Sequence, residues 1–147
     1  MKKSPVALGL TLLLFVGWMA YLGAQVWKNR TPPPVVSRVQ LLVAKYDVVA
    51  AVRTQDDGKP AAEVTVGEQL YAADADGPKP ASVITVGNLA DCDGFTGPGD
   101  YVLPLVAVNG QYRIAGLPFD PGRDRDLKPR VYPASQAVRG QFAELRK

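Results

Sequence analysis

The 147-residue chain contains no histidine. Without an imidazole there is no Ser-His-Asp or Cys-His relay to take and return a nucleophile's proton. Histidine zinc sites and haem attachment through a CxxCH motif are excluded with it. Cysteine is nearly as scarce. Cys92 is the only one, so no thiolate zinc site can be completed. No fixed-period repeat is present. Acidic residues are missing from the first thirty positions, which carry Lys2, Lys3, Lys28 and Arg30.

That last absence makes the formal charge of +3 misleading. Removing four of the 17 basic residues leaves 13 against 14 acids, a net of −1 for residues 31–147. Residues 31–122 hold six basic and eleven acidic residues, net −5, and residues 123–147 hold seven and three, net +4. A mildly acidic domain with a basic tail lacks the basic face of a nucleic-acid module.

The uncharged run PVALGLTLLLFVGWMAYLGAQVW, Pro5 to Trp27, is 23 residues long. A stretch of about 20 apolar residues crosses a bilayer core of ~30 Å. Tyr21 and Trp27 are placed to act as interfacial anchors. A cleaved signal peptide would need small residues at −3 and −1. Cleavage after Ala24 puts Leu22 at −3, and cleavage after Ala20 puts Trp18 there. An uncleaved signal-anchor is therefore expected over residues 5–27, in the cytoplasmic membrane. The leading Lys2-Lys3 favours an N-terminus inside and a domain outside. Thr31 to Pro34, TPPP, reads as a stiff stalk.

Beyond it, Ser37 is a capping residue, and Val39, Leu42, Val43 and Tyr46 recur at helical spacing, which predicts a short helix over about 38–44. YDVVAAVRT reads as a strand and DDGKP (56–60) as a turn. AAEVTVGEQLY alternates, with Val64 and Val66 on one face and Glu63 and Thr65 on the other. ADADGPKP (73–80) is a polar loop, and ASVITVGNL is a third strand. YVLPLVAVNGQYRIAG is a hairpin turning at Asn109-Gly110, with Pro104 expected at an edge or bulge. Five strands separated by short turns predict a mainly β domain, an OB-like barrel. In the C-terminal segment Ser135 is an N-cap, and Val138, Phe142 and Leu145 form one apolar stripe. The expected organisation is a basic N-terminus (1–4), a transmembrane signal-anchor (5–27), a Pro-rich stalk (28–36), the β domain (37–122), a polar connector (123–134) and an amphipathic helix (135–147).

The succession AKYDVVAAV, AEVTVGEQLY, SVITVGNL, a cysteine-containing loop and GPGDYVLPLV resembles the netrin-like and tissue-inhibitor-of-metalloproteinase type of OB barrel, over Val39 to Gly116. The chain is also similar to bacterial single-pass proteins with a Tyr-Pro pair before a C-terminal helix, here Tyr132-Pro133. The resemblance implies a fold. It carries no inhibitory residue over, because the eukaryotic members use disulfides and an N-terminal cysteine, and Cys92 is internal.

Two loops read Asp-x-Asp-Gly, Asp74 to Gly77 and Asp91 to Gly94. Carboxylates at alternate positions suit calcium. Neither loop continues to the distal Glu of an EF-hand, and Asp and Gly are ordinary turn residues. Asp74, Asp76, Asp91 and Asp93 are thus weak metal candidates, and no cofactor is expected. Three roles are open to Cys92: a buried small hydrophobe, a disulfide to a second chain, or a reactive thiol. The flanking carboxylates oppose the last. Phe95, Tyr101 and Tyr112 are candidates for a partner surface, with cross-strand packing as the alternative. The expected function is a non-enzymatic, membrane-anchored extracytoplasmic interaction or assembly module. Its partners would be the bilayer and a membrane protein, not nucleic acid. The alternative is a thiol-dependent or cation-binding protein using Cys92 and its aspartates.

Overall fold

The computed structural model describes residues 5–28, 32–116 and 128–147. It divides into two compact units, Met1–Pro33 and Pro34–Lys147. In the first unit Pro5–Lys28 forms helix α1. Among the described residues no helix is long and apolar enough to cross a membrane. Residues 5–27 therefore form a helix of the expected extent, but the expected span is not supported by its described part.

The second unit is mainly sheet. Its strands are β1 (Tyr46–Thr54), β2 (Pro60–Ala72), β3 (Val83–Thr85), β4 (Gly99–Val108), β5 (Gln111–Ile114) and β6 (Tyr132–Pro133), with helices α2 (Arg38–Val43) and α3 (Gln136–Leu145) and a 3₁₀ turn at Leu89–Asp91. Neighbours pair antiparallel in the order β3-β2-β1-β4-β5, and β6 pairs with β4. Two further contacts are parallel: Asp93 bridges Arg130, and Val86, just beyond β3, bridges Tyr112 of β5, where Gly87 N–H donates to the Tyr112 carbonyl at 3.0 Å.

β1 is central because both its faces are apolar. Tyr46, Val48, Ala50 and Val52 enter one cluster with Val64, Val66, Tyr101, Leu103 and Leu105. Val49, on the opposite face, joins a second cluster with Leu41, Val102, Tyr132, Val138 and Phe142. This second layer is where α2 and α3 cover the sheet. β2 runs past β1 with register shifts at Asp47/Val48 and Val49/Ala50. The shifts leave Leu70 and Gly67 as extra residues on β2, and such bulges bend a strand.

Several expectations shift. Among the described residues there are six strands rather than five, because Tyr132-Pro133 pairs with Val102 and Tyr101. The third strand is only three residues long, since the chain turns at Gly87-Asn88. Pro104 lies within central strand β4, opposite Asp47 of β1. Its carbonyl accepts from Ala115 N–H at 2.8 Å. Its backbone thus faces β5 just where that strand ends at Ile114, so the missing N–H breaks no ladder bond. Asn109 (φ 51°) and Gly110 (φ 79°) occupy the left-handed region, as a two-residue type I′ hairpin requires. Of the expected connector, residues 123–127 lie outside the described residues, as do residues 1–4 and residues 29–31 of the stalk.

The short helix expected over about 38–44 forms as α2, Arg38–Val43, with Ser37 as its N-cap, but its apolar residues Val39, Leu42 and Val43 do not face the core. Gln40 and Leu41 are its buried residues; Val39, Leu42 and Val43 are exposed. The spacing was helical, but Gln40 outcompetes them for the interior by its hydrogen bonds. Its Nε2 donates to the carbonyls of Ala115 and Arg130, both at 2.9 Å, and its Oε1 accepts from the Tyr132 hydroxyl at 2.9 Å. A buried amide with its polar atoms met is tolerated where an unpaired one is costly.

Candidate functional site

The two acidic loops are built as turns. Asp74 Oδ1 accepts from Asp76 N–H at 3.1 Å and from the Tyr46 hydroxyl at 2.7 Å. That bond, together with burial, pushes the Tyr46 hydroxyl up to about 12. The Tyr112 hydroxyl donates to the Asp76 carbonyl at 3.1 Å, and its ring meets Tyr46 edge-on at 6.1 Å. A Cβ at Gly77 would lie 2.9 Å from the Tyr46 ring, so glycine lets the loop close onto it. Asp74 and Asp76 thus seat a loop over β1.

The second loop is stitched to the chain before β6. Asp93 N–H donates to the Pro129 carbonyl and Val131 N–H donates to the Asp93 carbonyl, each at 2.9 Å. Gly94 sits at φ 94°, and a Cβ there would stand 2.2 Å from the Val131 carbonyl oxygen. The Cys92 thiol is half-buried and donates to the Asn88 carbonyl at 3.1 Å. Burial first, then the Asp91 and Asp93 charges, push its pKa up to about 12. A thiol held protonated in this way is a poor nucleophile and a poor metal ligand at neutral pH. Asp91 and Asp93 are exposed. Among the described residues no group of three or more Cys, Asp or Glu side chains is placed to hold a metal ion.

The candidate aromatic surface does not assemble. Tyr101 is buried and its hydroxyl is engaged, donating to the Gly97 carbonyl at 2.8 Å and accepting from Thr96 N–H at 3.1 Å. Phe95 packs on its ring at 5.4 Å. Phe95 and Tyr112 are half-buried against the first core cluster. Tyr101 therefore corrects from surface to core.

Two polar features lie outside the sequence-based candidates. Asn88 acts as an extra peptide unit: its Oδ1 accepts from Ile114 N–H at 2.7 Å and its Nδ2 donates to the Ile114 carbonyl at 3.2 Å. This continues the parallel contact between β3 and β5. The other is the pair Asp47–Arg146. Asp47 is fully buried on β1. Arg146, at the end of α3, donates from Nε to Oδ2 at 2.7 Å and from Nη2 to Oδ1 at 3.1 Å. The same Nη2 reaches the Ala44 carbonyl at 3.1 Å, and the guanidinium lies 3.9 Å over the Tyr71 ring. Burial raises the Asp47 pKa above its ordinary value, with Arg146 opposing. Beside the pair is a groove of about 100 Å³ lined by Leu70, Tyr71, Arg139, Phe142 and Ala143. It is smaller than the ~300 Å³ of an ordinary ligand pocket, and Arg139 is paired with Glu68. The site is a clamp between α3 and the sheet, without a free reacting group. No local signal marks it, because its partners are 99 residues apart.

The chain matches no protein-family model, no curated protein and no solved structure.

Proposed function

We propose that this chain is a non-enzymatic, membrane-anchored interaction or assembly module, with residues 5–27 in the cytoplasmic membrane and the β domain outside it. The observation that carries this is the surface of α1. Side chains described in α1 are those of residues 9, 11 and 13–26, and every one is exposed. They include Leu13 (73 %), Leu14 (69 %), Phe15 (62 %) and Trp18 (62 %). A helix apolar on all sides requires an apolar surrounding. The 16 described positions fall short of a span, but the uncharged sequence runs to 23 residues. Its 24-residue helix is about 36 Å long at ~1.5 Å per residue, enough for a ~30 Å core.

For the domain we propose an OB-type barrel. The pairings run β1-β2-β3-β5-β4 and back to β1 once the Val86–Tyr112 bridge is counted. A sheet closed in this order removes its own edges. Such barrels serve as binding scaffolds. A thiol-dependent role is disfavoured by the pKa of Cys92. Alkaline carbonate extraction of the full chain, with protease added to intact spheroplasts, tests the proposal. The chain should stay in the membrane pellet, and the domain should be cleaved from outside. Release by carbonate would refute the anchor, and protection from protease would refute the orientation.

A further inference from the structure

The outward face of α2 is apolar, and residues 28–46 around it in the sequence carry basic residues and no acid. Val39, Leu42 and Val43 stand at i, i+3 and i+4, one face of the helix, and are 45 %, 80 % and 43 % exposed. Val35, four residues earlier, is 79 % exposed. The helix cannot turn them inward, because Gln40 on the opposite side holds the Ala115 and Arg130 carbonyls and the Tyr132 hydroxyl. Ser37 fixes the same rotation from the N-terminal end: its Oγ caps Gln40 N–H, and its own N–H donates to the Tyr132 hydroxyl at 3.0 Å. Arg38 and Lys45, at the two ends of the helix, are exposed. Lys28 and Arg30 precede them, and the first acid in the chain is Asp47, which is buried against Arg146.

We infer that this face of α2 rests on an anionic lipid surface, with Val35, Val39, Leu42 and Val43 entering the headgroup boundary and Arg38 and Lys45 meeting lipid phosphates. A segment whose apolar side chains are interleaved with cations and which carries no acid of its own is the chemistry of interfacial segments, and each cation near such a surface adds to the attraction. The inference rests on the proposed anchor. Residues 29–37 span at most about 30 Å even when extended, so the segment that reads as a spacer is short enough to allow contact. A second copy of the chain would bury the same apolar atoms but offers no reason for the absence of acids over residues 28–46.

The test uses the full chain carrying Cys92→Ser, with single fluorophore-labelled cysteines introduced as Leu42→Cys, Thr65→Cys or Phe15→Cys, in neutral vesicles and in vesicles with anionic lipid. Thr65 is an exposed position on β2, and Phe15 reports on α1. In anionic vesicles, iodide quenching at position 42 should be at least about threefold weaker than at position 65, as burial at the boundary requires. Molar salt should reverse the difference. Equal quenching at 42 and 65 overturns the inference. So does shielding that is the same in neutral vesicles or that rises with protein density, the sign of a second copy. Position 15 reads the anchor separately: shielding there with position 42 open fails this inference alone, whereas an open position 15 fails the anchor.

Discussion

Removing Arg146 should be the most damaging single change at the clamp between α3 and β1. Asp47 is fully buried and takes both its strong hydrogen bonds from this guanidinium, at 2.7 and 3.1 Å. Arg146→Ala leaves a buried carboxylate with no counter-charge, which costs about 3–5 kcal/mol. The unit Pro34–Lys147 has an unfolding entropy of roughly 0.24 kcal/mol/K, so its melting temperature should fall by about 12–20 °C. Asp47→Asn keeps the shape and an acceptor while removing the charge, and should cost under ~1.5 kcal/mol. In that background Arg146→Ala loses its main effect, leaving a coupling of about 2–3 kcal/mol. The pH dependence follows from the raised pKa of Asp47. A carboxyl with a raised native pKa binds its proton more tightly folded than unfolded. Its contribution to stability is therefore largest below its ordinary value of 3.8 and is lost as pH rises through the native pKa. Without Arg146 that pKa rises further. The penalty of Arg146→Ala should accordingly shrink as pH falls from 7 toward 4. Thermal and urea melts of the full chain in detergent, followed by circular dichroism, measure all four variants of the cycle. A penalty that is the same in both backgrounds and at both pH values would refute the coupling.

Two other positions make separate predictions. Cys92, with its pKa pushed up to about 12 by burial and the flanking aspartates, should react with a disulfide reagent at pH 7.5 at least about tenfold more slowly than an unfolded thiol of pKa ~8.5, the scarcer thiolate being partly offset by its greater nucleophilicity; labelling at the unfolded rate would show the thiolate to be free. Gly94→Ala puts a Cβ on the Val131 carbonyl at a positive φ, and should cost more than about 2 kcal/mol by prising Asp93 from the segment before β6. An unchanged melt would mean the loop relaxes freely.

What was legible in the sequence is what the chain writes locally. β1 carries apolar residues on successive positions and lies between two cores. Val64 and Val66 alternate with Glu63 and Thr65 and point inward as alternation demands. Asn109-Gly110 turns the hairpin, and Ser135 caps α3 by accepting from Val138 N–H at 3.3 Å. Local signals misled where a distant partner decided the outcome. Val39, Leu42 and Val43 have helical spacing, but Gln40 finds its partners at Ala115, Arg130 and Tyr132 and takes the inner face. Tyr132-Pro133 looks like part of a connector until β4 supplies an edge for it. The Asp91–Gly94 stretch draws the eye as chemistry, whereas Asn88 and Gly94 on either side of Cys92 are there to join strands. Asp47 gives no sign of an ion pair, since an acid at a strand start is unremarkable until Arg146 arrives from the far end of the domain.

That separation has a consequence for a chain made from one end. Arg146 is made 99 residues after Asp47, a delay of about 5–20 s at ~5–20 residues per second. Through that interval the carboxylate must remain in water, and the outer face of β1 and β4, with Val49 and Val102, has no α3 to cover it. Strands β1 to β5 can pair before then, but the second layer cannot. An interrupted chain would expose an apolar face beside an unpaired acid, a mark by which quality-control proteases could recognise it. In this molecule α3 can cover the second layer only after strands β1 to β6 have been made.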